Sequence, residues 1–518
     1  MLTGVTRSLR DLLGDDYLDA VVRTRHALTG APLAELEALA SEPVEFFPEA
    51  FAERCRHLVA RVGTVLVEGL PDPVAGAPSG AFGRAQNHAA APLGGLGPCR
   101  VGQDGRVYLA AKSEHYQASL GHAFPGFRLI ALARELGILN ATHNNTRGQV
   151  TRIAERALVA AAAGLDPADR GPAVDELVAA TGRHVLNRVV NLETGSLAAE
   201  AALKMMLTRF YAADGGAAVH DGVTPVLLVL ADGGGGPTAN YHGTTVTAQL
   251  LRGMWPGLRS RLEEAGVLRV VAVPPNDIAA FEDALARHST GGFRVAGFCH
   301  ELILMNYGGL RLDEAYLRAA YDACDRVGVP VFCDEIQSGA WYPELFLFRR
   351  YGIRPDMVAV GKGFPGGEYP ASRILLSAEF DGLSQFGALV TNGQEELASL
   401  AYLVTMTYVH ANGAHIDDVG AYLHAGLGQL VGRYPGTLSG VAGDGLMAGV
   451  QFVDGAAAAR FCRALDRDHG IDTSVQAYKP ATPPVALLKL PVVVERDAVD
   501  VLLDRMGQVL DAIAGDAR

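Results

Sequence analysis

With 518 residues, 49% of them hydrophobic, and a formal charge of -13, the chain is long enough to bury more than one core. Its size excludes a small binding module, and its acidity argues against nonspecific DNA binding as the main role. The 61 glycines follow no Gly-X-Y period, so they point to turns and close backbone approaches rather than to a fibrous chain.

In chain order, residues 1 to about 70 read as helices with polar gaps, including Ala/Leu/Glu-rich stretches near 30–42 and 49–68. No continuous apolar segment of signal-peptide type opens the chain. The Pro/Gly/Ala-rich segment 71–97 reads as a loop or linker. Helical periodicity through 129–134 and 153–160 precedes strand-like runs at 188–191, 226–231, 268–273, 293–299, 329–333 and 357–360. Helical candidates at 198–211 and 313–327 separate them, and this alternation predicts an α/β domain with a mostly parallel, covered sheet. After about residue 400 come a long apolar helix, apolar runs at 438–452 and 485–494, and a final helix at 496–514, the pattern of a smaller α+β domain. The resulting division is 1–99 as helical extension and linker and 100–160 as the first part of the small domain. Residues 161–400 are then the large domain and 401–518 the rest of the small one.

The strongest interior apolar run, 223–231, is far short of the roughly 20 residues that cross a bilayer. The six cysteines are dispersed without a CxxC pair and read as buried free thiols in a reducing compartment. A soluble, cytoplasmic protein without a metal centre, a nucleic-acid partner or a membrane partner is expected.

The chemistry-bearing stretch starts at Val331-Phe-Cys-Asp334-Glu335-Ile-Gln337 and continues to Asp356-Met-Val-Ala-Val-Gly361. That second run delivers Lys362 into the turn Gly363-Phe-Pro-Gly-Gly-Glu-Tyr-Pro370. A lysine in a glycine-rich turn, with a carboxylate at the end of a preceding strand, suits a carbonyl cofactor with a basic ring nitrogen. Thr194-Gly195-Ser196, ahead of the helical stretch that begins at Leu197, offers backbone donors and a hydroxyl for a phosphate. The tetraglycine 233–236 lacks the GKT or GKS ending of a nucleotide-binding loop.

On these motifs the chain, over roughly residues 100–515, resembles the class III aminotransferases, fold-type I enzymes dependent on pyridoxal 5'-phosphate (PLP). The resemblance implies a large mixed, mostly parallel seven-stranded sheet, a smaller α+β domain and, here, an extra helical N-terminal region. It implies that Lys362 is the Schiff-base lysine that also moves a proton, that Asp334 meets the pyridine nitrogen, and that Gln337 lies near the phenolic oxygen. Gly195 and Ser196 would hold the phosphate, Tyr241 would stack on the ring and His242 would shape the substrate side. Glu301 would order the cofactor side of the pocket, and Glu335 would support local structure or a subunit contact. Thr391 would be a phosphate ligand given by a neighbouring subunit, which implies a homodimer with shared sites. The chain departs from the family pattern at Leu197, along 302–309 and at Arg373, where a small residue is usual. Arg373 is therefore a candidate for a substrate carboxylate, with a structural salt bridge as the alternative.

The activity so implied is transamination between an amino compound and a carbonyl acceptor. An aminomutase, epimerase or decarboxylase uses the same lysine and fold and stays open. So does a noncatalytic interaction protein that retains the fold.

Overall fold

The computed structural model describes residues 2–112, 117–140, 146–213, 215–390, 393 and 395–516. Its centre is a seven-stranded sheet of β1 (Leu186–Leu192), β2 (Thr224–Leu230), β3 (Arg269–Val273), β4 (Phe293–His300), β5 (Val331–Asp334), β6 (Met357–Val360) and β7 (Ser372–Ser377). The spatial order is β1-β7-β6-β5-β4-β2-β3, and every neighbouring pair is parallel except the two that β7 makes. The runs read from the sequence account for six of these strands; β7 is the one not anticipated. Strands such as β2, Thr-Pro-Val-Leu-Leu-Val-Leu, are apolar without alternation because both sheet faces are covered.

Two cores sit on the two faces. On one, Leu227, Val229, Phe332, Ala359 and Ile374 pack under α1 (Gly195–Leu207). On the other, Val226, Leu228, Val358 and Leu375 join a larger core shared with α3 (Glu314–Val327) and the helix Glu396–Ala411. A short helix, α2 (Val246–Leu251), lies between β2 and β3 and touches α1.

Two four-stranded sheets form the smaller α+β part. One runs Leu438–Asp444, Met447–Phe452, Val485–Lys489, Val475–Gln476, and the other Ile471–Asp472, Val107–Ala110, Cys99–Gly102, Pro92–Leu96. The segment 71–97 is thus no plain linker: it holds a short helix, Gly80–Ala85, and ends as an edge strand. The N-terminal region is helical as expected, with Leu9–Leu13, Asp15–Thr29, Leu33–Ser41 and Glu49–Val59. Leu9, Val22, Leu36 and Phe46 are buried in the larger core, and Phe46 meets Phe124, which in turn meets Tyr408. All six cysteines are buried and free. Among the described residues no helix is long and apolar enough to cross a membrane, and no cluster has the makings of a metal centre.

Candidate active site

The carboxyl ends of β1, β5 and β6, with the loop after β2 and the residues just ahead of β7, converge on a cleft of about 300 Å³. This is where an open parallel sheet places its ligands. Lining it are Thr194, Gly195 and Ser196 after β1, Tyr241, His242 and Gly243 after β2, Asp334 and Gln337 after β5, and Lys362 after β6.

Lys362 is half-buried and stands at φ 36, in the left-handed region that a lysine seldom occupies. Its neighbours make that turn possible. A Cβ on Gly363 would strike Cζ3 of Trp341, and one on Gly361 would come within 3.1 Å of Ile336 and Ser372. Burial lowers the Lys362 ammonium below the ordinary lysine range, with Asp334 and Glu301 opposing.

Asp334 ends β5 and is buried. Its Oδ1 accepts from the Ile336 N–H at 3.0 Å, and its Oδ2 lies 2.9 Å from Nδ1 of His242. His242 is fully buried and packs on Phe332. His242 lines the cleft, and the polar contact of its Nδ1 is with the Asp334 carboxylate. Gln337 is buried, and its Oε1 has no hydrogen-bond partner among the described residues.

At the other end of the cleft, α1 begins. Thr194 is its N-cap and accepts from Leu197 N–H at 3.4 Å. Ser196 Oγ accepts from Thr244 N–H at 3.1 Å. Gly243, at φ 95, lies so close to Ser196 that any Cβ would collide with it. The first turn of an α-helix leaves N–H groups free, and its positive end suits an anion. Glu193 also lines this end, and Lys362 is the sole lysine or arginine on the described wall.

Glu301 lies behind Tyr241, whose N–H donates to Glu301 Oε2 at 2.9 Å. Burial, with Asp334 nearby, raises the Glu301 carboxyl well above its ordinary value. Glu335 faces the other way and accepts from Leu347 N–H, Phe348 N–H and Ser338 Oγ–H at 2.7 to 2.9 Å, a structural role. Leu197 is packed against the α1 core. In the altered stretch 302–309, Asn306 is buried and donates to the carbonyls of Thr238 and Asn240.

Arg373 does not line the cleft. Strand alternation in β7 sends Ile374 and Leu376 to the α1 face, and Arg373 with Leu375 to the opposite one. There the guanidinium is fully buried, donates to Ser372 O and Ser399 Oγ at 3.1 Å, and stacks 4.7 Å from the Tyr402 ring centre. Its expected contact with a substrate carboxylate is corrected to an interior role. Thr391 lies outside the described residues.

Two basic side chains near the site were not singled out in the sequence. Lys489 is fully buried at the end of Val485–Lys489, its Nζ 3.6 Å from the Trp341 ring centre. Arg252 lies 4.3 Å over the ring of Tyr241. Lys489 carried a signal, a charge set between apolar strand residues, whereas Arg252 carried none.

The description aminotransferase class-III matches residues 97–510. The chain belongs to that family. Among similar proteins, acetylornithine aminotransferase of Parasynechococcus marenigrum (strain WH8102) is 30% identical over 217 residues, 41% of this chain and 51% of that protein. The chain thus spans about half the length of the curated relatives it matches. Ornithine aminotransferase of Toxoplasma gondii, crystallised in the presence of oxidized glutathione, has partial occupancy of PLP at its active site. It is 22% identical, with 83% of this chain and 94% of that one covered at a TM-score of 0.64. A transaminase from the marine bacterium Virgibacillus is 16% identical, with 86% and 98% covered and the same TM-score. At these identities the solved structures speak for the fold.

Proposed function

We propose that the protein is a PLP-dependent aminotransferase that moves an amino group from an amine or amino acid to a carbonyl acceptor. The observation that carries this reading is the disposition of one cleft: Lys362 in a strained turn, Asp334 and Gln337 beside it, and the start of α1 at the far end. The residues fit the cofactor. Asp334 is the partner for a protonated ring nitrogen, and the Gln337 side-chain amide N–H is the donor for the ring oxygen. The N–H groups at the start of α1, with the Ser196 and Thr244 hydroxyls, are the donors for the phosphate.

When bound, PLP supplies an aldehyde that condenses with amines and a ring that takes up the electron pair of the bond broken at the substrate carbon. The chain's own work is done at named atoms. Partial burial of Lys362 leaves more of its Nζ neutral near pH 7 than in an exposed lysine, so it can act as nucleophile and then accept and return a proton. His242, at Asp334 Oδ2, keeps that carboxylate oriented toward the ring. Tyr241, held through its backbone by Glu301, forms a wall of the cleft.

The test adds PLP to the purified protein and follows the cofactor's visible spectrum. A protein-bound band that borohydride reduces, absent from Lys362→Ala, is expected. Turnover should fall more than about a thousandfold in that variant. An amine donor should convert the cofactor to its amine form, and a carbonyl acceptor should restore it. Product without the amine form would instead favour a mutase, epimerase or decarboxylase. No bound band in supplemented protein would sink the reading.

A further inference from the structure

Arg252 is a guanidinium without the partner its position demands. It follows α2, its own N–H donating to Gln249 O at 3.1 Å and its carbonyl accepting from Thr238 N–H at 3.0 Å, so its backbone is fixed. Among the described residues Arg252 forms no ion pair, the Glu301 carboxylate acting on it only at longer range, and its Nε is buried without a hydrogen bond. The polar contact it does make is long, Nη2 to Asn306 Oδ1 at 3.5 Å. Asn306 is itself locked to the carbonyls of Thr238 and Asn240. The guanidinium's main neighbour is the face of Tyr241, at 4.3 Å. Tyr241 lines the cleft and Arg252 does not, so the guanidinium meets the ring from outside the described cleft wall.

We propose that Arg252 is a positioning residue for the cofactor, acting through Tyr241; this rests on the PLP reading above. A tyrosine ring on a loop is free to turn about two side-chain bonds, and each orientation it visits must be given up when a flat ligand stacks on it. Glu301 fixes the Tyr241 backbone, and the planar guanidinium fixes the ring by stacking on it. The cleft therefore presents a flat aromatic wall before any ligand arrives. Asn306, in the stretch 302–309 that departs from the family pattern, holds the guanidinium edge-on as the third member of this support.

The test measures binding of pyridoxine 5'-phosphate, which has the ring and phosphate but no aldehyde, to cofactor-free protein, together with the circular dichroism of the bound ring. Its binding reports the fit of the wall without the chemistry of Lys362. Arg252→Met is expected to weaken binding about tenfold and to diminish the induced dichroism, while Arg252→Lys, which keeps the charge but loses the planar stack, recovers only part of that loss. In a Tyr241→Leu background the Arg252→Met change should add no further loss. If Arg252→Met does not fold, Arg252→Gln, polar but uncharged and too short to stack on Tyr241, is expected to show the same loss. Wild-type affinity in a folded Arg252→Met or Arg252→Gln protein, or an equal loss without Tyr241, overturns the proposal while leaving the cofactor reading intact. Absence of both pyridoxine 5'-phosphate and PLP binding in the wild type would overturn both.

Discussion

Lys489 is a residue whose surroundings conflict with its charge. The stack on Trp341 favours an ammonium, by about 2 kcal/mol. Against that, the group is fully buried, and among the described residues nothing accepts a hydrogen bond from it. Desolvation of an unpaired ion costs several kcal/mol, so burial shifts the balance toward the neutral amine. Burial lowers its pKa well below the ordinary value; Lys362 lowers it further, and Glu301 opposes. The sign for stability follows. Between the lowered folded value and about 10.4, the unfolded chain binds a proton that the folded chain does not, so stability rises with pH over that window. Lys489→Met keeps an unbranched side chain on Trp341 and removes the penalty. In cofactor-free protein it should raise the unfolding free energy near pH 7 by about 1–3 kcal/mol and take away this part of the alkaline rise. Urea melts of both proteins across a pH series check this; parallel pH dependences would refute it.

At the scale of elements, the connection from β5 to the helix Leu347–Arg350 depends on Glu335. Ala340 and Leu345, both left-handed at φ 66 and 65, show that this stretch is strained. Glu335 offsets the strain by accepting the N–H groups of Leu347 and Phe348, which start the helix, and the Ser338 hydroxyl. Glu335→Gln places an amide against these donors and should cost about 2–4 kcal/mol, read from urea unfolding. Burial raises the carboxyl to about 7, only partly countered by those hydrogen bonds. From about pH 4 to 7 the folded chain therefore holds a proton that the unfolded chain releases, and this share of stability declines as pH rises. Glu335→Gln should lack that decline, and an unchanged acid-side slope would count against the account.

The same elements show what was legible in the sequence. Strands buried on both faces announce themselves as apolar runs, and a motif residue at a strand end, such as Asp334 or Lys362, is located as soon as its strand is. β7 escaped because it follows the glycine- and proline-rich turn and carries an arginine in its interior, so Arg373 read as a ligand rather than as a strand residue. The partners of Arg252 and Lys489, aromatic rings on other elements, come together only through tertiary packing. A single-chain pattern does not encode that proximity.

On the scale of the whole molecule, the balance of charge in the cleft bears on assembly. The end of the cleft proposed to take the phosphate has the start of α1 and two hydroxyls but also Glu193, and the described wall supplies no cation there beyond Lys362. A dianionic phosphate is weakly provided for by one chain alone. If, as the resemblance implies, Thr391 is given to this end by a neighbouring subunit, a two-fold symmetric dimer would hold two sites, each built from both chains. Such sharing has a consequence that a self-sufficient site lacks. Lys362→Ala and Thr391→Ala chains, each inactive or nearly so as homodimers, should complement one another when mixed through a dissociated state. In a mixed dimer one site receives both altered residues and the other receives neither. With random reassociation about a quarter of all sites are intact, and that fraction of wild-type turnover should return. Native mass measurement of the mixed dimer controls for exchange. If mixed dimers form and activity stays absent, or if Thr391→Ala alone retains full PLP affinity and turnover, Thr391 is not a shared ligand and the site belongs to a single chain.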